Sequence, residues 1–340
     1  MVPLADGGEG TVEAIALATG ATLQGAMVRG PLGVATPAVW GRTPGNRAFL
    51  ELAAASGLTL VADSDRDALR ASTYGTGQLM RAALDAGCVE ISIGIGGSAT
   101  TDGGTGLLAA LGLKFLDSNG QELPPGGAAL RRLARIDDDT LHPRLKDGSV
   151  TLRVLCDVTN PLCGQHGAAH IYGPQKGASP EDVLTLDSAL AHYAQVTAAR
   201  LGHDHSGLPG AGAAGGTGFG LVAWLGAELV PGIQAVLEIA NFDALCRRAD
   251  WVLTAEGALD AQTLQGKTIA GVAAAAKRCG VPVIAFGGAV KLTGAELDEL
   301  GLVSAFALAN APLSLDQCIA NADSLLSTAA ERAVRLLVKR

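Results

Sequence analysis

Residues 94–106 read GIGGSATTDGGTG and follow a short run of apolar, β-branched residues, Val89–Ile95. Such a run ending in glycine has the pattern of a buried parallel strand. The apolar residues Leu107–Leu113 come next and read as a helix. A strand, a glycine-rich turn and a helix start form an anion site. Glycines let backbone N–H groups approach a ligand closely, and the helix N-terminus adds partial positive charge. Ser98, Thr100, Thr101 and Thr105 add hydroxyls suited to phosphate or carboxylate oxygens. Asp102 stands apart, because a carboxylate repels a phosphate unless a metal lies between them. Helix capping and metal or substrate handling both stay open for it.

A second polar set, Glu256, Asp260, Gln262 and Lys267, is expected just after a strand at Trp251–Thr254. Ligands of parallel sheets bind at that end of the strands. Gly266-Lys267-Thr268 looks like the end of a phosphate-binding P-loop, but Ala261 stands where that motif needs glycine, so it is no Walker sequence. Solvated residues with Asp260 as a helix cap are the plainer reading. Lys176 lies in a tight turn, Gly173-Pro-Gln-Lys-Gly177, and only its company makes it interesting. The spacing of Gly94, Gly96 and Ala99 would suit a dinucleotide, with Asp117 as the ribose acid. Asp117, however, precedes an Asn-Gly hairpin turn, and Asp102 would face the pyrophosphate. Cys163, His166 and His170 have metal-like spacing without an evident fourth ligand. His203 and His205 read as solvated.

The elements that must carry these residues follow from periodicity. Val2–Ala5 reads as the end of a strand, and Val12–Thr19 as a helix closed by Gly20. Alternation around Met27–Arg29, Ala38–Trp40 and Ala48–Leu50 predicts antiparallel strands. Thr73–Gly87 reads as a helix, and Lys114–Asp117 as the first arm of a hairpin. Val150–Asp157 is a buried strand that delivers Asp157 to a loop. Ser179 caps a helix over Pro180–Leu201, with Val183, Leu186, Leu190, Tyr193 and Thr197 on one face. A second glycine tract, 208–220, opens another helix. Beyond Ile239 strands and helices alternate, with strands at Val281–Phe286 and Val303–Leu308. Helices are expected near Gly266–Arg278 and Ser314–Lys339, the latter opened by a capping box of Ser314 and Gln317.

With 340 residues, two domains are expected. The predicted class is α/β. Residues 1–20 with 236–340 form a discontinuous flavodoxin- or Rossmann-like domain, and residues 21–235 form a mixed α/β domain inserted into it. A composition of 48% hydrophobic and 17% charged residues excludes disorder. The net charge of −8 argues against nucleic acid or an anionic membrane as partner. Six scattered cysteines without a CxxC pair predict reduced thiols and a cytoplasmic location. No signal peptide or membrane span is expected.

In family order over nearly the whole chain come Ala5-Asp-Gly-Gly-Glu-Gly-Thr11, Tyr74-Gly-Thr-Gly77, Gly94-Ile-Gly-Gly-Ser-Ala-Thr100 and Asp102-Gly-Gly104. Cys156-Asp-Val158, Asn160-Pro-Leu162, Gly173-Pro-Gln-Lys-Gly-Ala178, Leu208–Gly216 and Glu256-Gly257 with Asp260, Gln262 and Gly266-Lys267 follow. The set resembles the bacterial type I glycerate kinases. The resemblance implies phosphorylation of D-glycerate by ATP with Mg²⁺, to 2-phosphoglycerate rather than 3-phosphoglycerate, with a homodimer as one option for assembly. It points to Asp157 as base, with Asp6 as runner-up, and to Asp102 and Lys176 as further catalytic groups. Asp6, Glu9, Gly96, Gly97, Ser98, Thr100, Asn160, Gly212, Gly215, Gly216, Gln262 and Lys267 would bind phosphate or substrate. Glu256 and Asp260 would hold the metal.

The sequence departs from the family pattern at Thr101, in place of asparagine, and at Ala255 and Ala258, in place of glycine and arginine. The family's opening strand and helix have no counterpart before Val2. A shortened, inactive chain that still binds an acid or nucleotide is therefore the alternative expectation, and a dinucleotide-dependent oxidoreductase a minor one.

Overall fold

A computed structural model of the chain describes residues 1–5, 7–8, 10–261, 263–265 and 268–337. These fall into two compact units, residues 3–235 and 236–340.

The first unit is built on a six-stranded sheet. Its strands are β1 (Thr22–Arg29), β2 (Ala35–Arg42), β3 (Arg47–Glu51), β4 (Glu90–Gly94), β7 (Thr151–Leu155) and β8 (Glu228–Val230), in the spatial order β1-β2-β3-β4-β7-β8. β1 to β3 are antiparallel neighbours, whereas β3, β4, β7 and β8 run parallel. The sequence shows why β4 is central. Ile91 and Ile93 point to one face and Ser92 to the other, and all three are buried, as both faces of a covered parallel strand must be. β1, with its mostly exposed pattern, is the edge. A two-stranded ribbon of β5 (Lys114–Leu116) and β6 (Arg135–Asp137) lies outside the main sheet. The local turn expected after β5 forms as well, with Leu116 bridged to Glu122.

The helix Pro180–Leu201 packs its predicted stripe inward. Val183, Leu186, Leu190, Tyr193 and Thr197 are all buried, and Ser179 closes a capping box with Asp182. The Tyr193 ring meets Phe115 and Phe219 edge-on at 5.9 and 5.2 Å, joining the ribbon to the helix over the second glycine tract.

The helix Thr11–Thr19, assigned by sequence to the second domain, lies in the first unit. Val12 and Ile15 are buried, and the Val12 amide donates to the Glu51 carboxylate at 2.6 Å. An acid at the end of β3 thus meets a helix N-terminus, which fixes the helix on this sheet. Burial raises the Glu51 pKa, opposed by that amide. Val2–Ala5, expected as a strand end, join no ladder.

The second unit carries a parallel sheet of β9 (Val252–Leu259), β10 (Val283–Val290) and β11 (Ser304–Ala307), in the order β11-β10-β9. β9 runs further than its apolar core suggests, so Glu256 lies within the strand opposite Gly287 rather than in a loop beyond it. Strand pairing has overridden a polar, glycine-containing stretch here. The Ser314–Gln317 capping box forms, but the expected long helix is two, Leu315–Ala320 and Ala322–Leu337, broken at Asn321. Among the described residues no helix is long and apolar enough to cross a membrane.

Candidate active site

In the first unit the turns after β4 and β7 face a cavity of about 420 Å³. Gly96, Gly97 and Ser98 line it from β4, and Asp157 from the loop after β7. Among the described residues the amides of Gly96, Gly97 and Ser98 donate to no backbone acceptor. Three consecutive N–H groups without an acceptor among the described residues, at the carboxyl end of a parallel sheet, have the form of an anion cradle.

The turn reaches this position because glycine permits it. A Cβ on Gly94 would stand 2.4 Å from the Gly7 carbonyl oxygen, and Gly96 packs against Gly8. Residues 7–8 therefore lie directly over the end of β4, and they too line the cavity.

Lys176 is the cation of the site. Only 2% exposed, it donates from Nζ to Ser98 Oγ at 2.7 Å and to the Thr100 carbonyl oxygen. An ammonium has three donors, so one is left for a ligand. Burial pulls its pKa down to about 7, with Asp102 opposing the shift. A bound anion would restore the charge.

Asp102 is a structural node. It is fully buried, and its carboxylate accepts from Thr73 N at 2.8 Å, Thr73 Oγ1 at 2.9 Å, Gly104 N at 3.1 Å and Gly106 N at 3.2 Å. It thus caps the helix Thr105–Ala110 and holds the residue preceding the helix Tyr74–Asp85. Desolvation raises its pKa, and the four hydrogen bonds work against that. Oδ2 takes three of these bonds and Oδ1 one, so the carboxylate is engaged by the turn that holds Lys176.

Thr100 acts through its carbonyl; its hydroxyl is buried, without a partner among the described residues, and away from the cavity. Gly212, Gly215 and Gly216 also stand behind the site rather than in it. A Cβ on Gly212 would meet the Pro161 carbonyl oxygen at 2.2 Å, and one on Gly215 the Thr100 oxygen at 2.0 Å. Gly215, at φ 66°, accepts from the Gly103 amide, so the two glycine tracts are laced together. The neighbours Ala213 and Ala214 line the cavity instead.

Asn160 is engaged on both sides of its amide. It donates to the His166 carbonyl and accepts from the Tyr172 hydroxyl at 2.7 Å. Tyr172 and Gln175 also line the cavity, the first just before the Gly-Pro-Gln-Lys turn and the second within it, and the tightness of that turn is the one signal the sequence offers for them. Asp157 accepts from the Gly232 amide at 2.8 Å, which orients its carboxylate at the cavity wall.

Asp6, Glu9, Gln262 and Lys267 lie outside the described residues. Glu256 and Asp260 belong to the second unit, at the carboxyl end of β9. Glu256 lies within the strand and Asp260 just past its last residue, Leu259.

Among the described residues no group of three His, Cys, Asp or Glu is placed to hold a metal, which removes the Cys163–His166–His170 option. Burial, with Asp187 and Asp204 nearby, pushes the Cys163 thiol up to about 12. The dinucleotide reading also falls, since Asp117 is consumed by its own exposed turn, accepting from the Asn119 and Gln121 amides.

These features define an α/β protein with a cavity at the end of a parallel sheet, lined by backbone amides and one desolvated lysine. Comparison makes the class specific. The glycerate kinase family profile matches residues 1–338. The chain is 47% identical to glycerate kinase of Halalkalibacterium halodurans over 97% of its own length and 87% of the relative's. It is 46% identical to glycerate 2-kinase of Escherichia coli K12 over 94% and 84% of the two chains. A crystal structure assigned to glycerate kinase 2 of Salmonella typhimurium LT2 superposes with a TM-score of 0.87 at 43% identity, covering 99% of this chain and 89% of that one. This chain belongs to the glycerate kinase family.

Proposed function

We propose that the chain transfers the γ-phosphoryl group of ATP to the 2-hydroxyl of D-glycerate, giving 2-phosphoglycerate and ADP. The observation that carries this reading is the buried Lys176 ammonium beside the amides of Gly96–Ser98, which have no acceptor among the described residues, with the Asp157 carboxylate on the same cavity. Phosphoryl transfer asks a protein mainly to position reactants and neutralise charge, and these groups do both. Asp157 would take the proton of the attacking hydroxyl, held in place by the Gly232 amide. The cradle amides and Lys176 would bear the negative charge that develops on the transferring oxygens. The name of the E. coli relative supports the 2-product.

The donor set fits Mg²⁺ in the form in which it accompanies nucleotides, bound by one carboxylate and completed by phosphate oxygens and water. Glu256 or Asp260 is the carboxylate we propose. When bound, the ion supplies charge neutralisation on the phosphates. All six cysteines are free, which supports a cytoplasmic location.

The test is coupled ADP release with D-glycerate beside L-glycerate, tartronate and glycerol, with the product's phosphorylated carbon assigned by NMR. Asp157→Asn should lower kcat by about 10²–10⁴-fold while ATP still binds. A near-normal rate would remove Asp157 as the base, and a 3-phosphorylated product would overturn the regiochemistry.

A further inference from the structure

A second cavity of the first unit, about 530 Å³, shares no lining residue with the first. Three arginines line it, Arg29, Arg70 and Arg132, and no carboxylate, lysine or histidine does. In a chain of net charge −8, three guanidiniums around one hollow need a reason.

Their internal partners are few. Arg70 reaches Asp67 at 3.7 Å with its side chain 78% exposed, a contact that water and salt largely screen. The Arg29 guanidinium lies 4.6 Å over the Tyr74 ring. Arg132 has no ion pair among the described residues.

The walls are preformed. A Cβ on Gly126, at φ 101°, would stand 2.5 Å from the Arg70 Cα, so glycine lets the Pro124–Pro125 segment close against Arg70. A Cβ on Gly75 would meet the Arg29 carbonyl oxygen at 2.0 Å, which seats the end of β1 on the helix Tyr74–Asp85. The Ser72 amide donates to the Pro31 carbonyl and closes the remaining side. Backbone contacts of this kind hold a hollow open before any ligand arrives.

We infer that this cavity is a second anion site, which takes a small organic molecule carrying two or more phosphate groups. Guanidinium forks match phosphate oxygens in pairs, and three of them suit more than one phosphate. The prolines and the Tyr74 ring supply an apolar wall for the body of such a ligand, and the volume is that of a small-molecule site. With no carboxylate, histidine or lysine on its walls to move a proton, it is a binding site and not a second reaction centre. Ser72 and Tyr74 flank Thr73, the residue that Asp102 holds, so the walls adjoin the turn that seats Lys176.

The test is calorimetric titration of the whole chain with pyrophosphate, with inorganic phosphate as the weaker comparator. It reads binding alone, so its outcome is separate from that of the kinase proposal. Arg70→Ala/Arg132→Ala alters two exposed side chains, and an unchanged circular dichroism spectrum and melting temperature confirm its fold. The double variant should bind one pyrophosphate fewer than the wild-type chain, or bind it at least tenfold more weakly, with basal activity unchanged. Arg70→Lys/Arg132→Lys, which keeps the charge but loses the fork, should fall between the two. Equal stoichiometry and affinity in the wild-type and alanine proteins would overturn the site.

Discussion

The end of β4 and the end of β9 hold topologically matching places, each the carboxyl end of a parallel strand, and they are built in opposite ways. At β4 the chain turns on glycines, of which Gly94 has no room for a side chain, and the two charged groups are buried and hydrogen-bonded. Asp102 satisfies four donors and Lys176 holds two acceptors. At β9 the strand continues through Glu256 and Gly257, with exposure alternating along it. The exposed positions are Leu253, Ala255 and Gly257, whereas Glu256 is half-buried. One end is therefore rigid and prepaid in desolvation, and the other depends on what binds to it.

The sharpest way to break this contrast is to remove the cation at the β4 end. Lys176→Met fills the same buried space and deletes the charge, so the fold should persist while turnover drops by about 10³-fold, on the order of 4 kcal/mol. Kinetics with a melting curve checks it. A loss below about tenfold would mean that the buried ammonium is structural, and the two strand ends would no longer differ in role.

Asp102→Ala follows in size. It leaves buried donors of Thr73, Gly104 and Gly106 without an acceptor, a cost of about 3 kcal/mol or more in unfolding free energy. Asp102→Asn, nearly isosteric, should lose clearly less. Denaturant unfolding of both variants decides whether this aspartate holds the turn or only happens to lie in it.

What was legible in the sequence divides along the same line. Glycine signals carry steric information, so the turn at 94–106, its helix and the strand before it could be read from residue types alone. Ser179, Ser314 and their partners announced helix starts for the same local reason. Roles that depend on tertiary closeness could not be read. Gly215 looked like a phosphate ligand because glycine tracts often are, yet its task is to let one tract touch another at Thr100. Thr100 offered a hydroxyl and contributes a carbonyl. The Thr11–Thr19 helix looked like part of the second domain because sequence order cannot show that Glu51 receives it.

A pH titration sharpens the account of Lys176. Its pKa in the free protein is drawn down to about 7, so above that value the side chain is neutral and must take up a proton when an anion binds. Affinity for ADP should then weaken by up to about tenfold, or 1.4 kcal/mol, for each pH unit above the pKa. Measurement from about pH 7.5 to about pH 9.5 avoids the ligand's own titration, since phosphate's second ionisation lies near pH 6 or thereabouts. A flat profile over that range would show that the lysine stays charged without a ligand, and that its burial costs less than the geometry implies.

The smallest effect is expected at β9, and it tests the other half of the contrast. Ala255, which stands where the family pattern has glycine, is exposed and pairs with Phe286 in the middle of the ladder. Restoring glycine there frees the unfolded backbone and removes a methyl that packs on the pleat. Ala255→Gly should therefore cost about 0.5–1 kcal/mol of stability. No close approach demands glycine at this position, since the Ala255 methyl is already accommodated there, exposed. Glycerate kinetics should change less than about twofold, because the ladder register of β9 is the same with either residue. If Ala255→Gly instead raised kcat by tenfold or more, the alanine would be a brake on catalysis, and the end of β9 would be as exacting in its sterics as the end of β4.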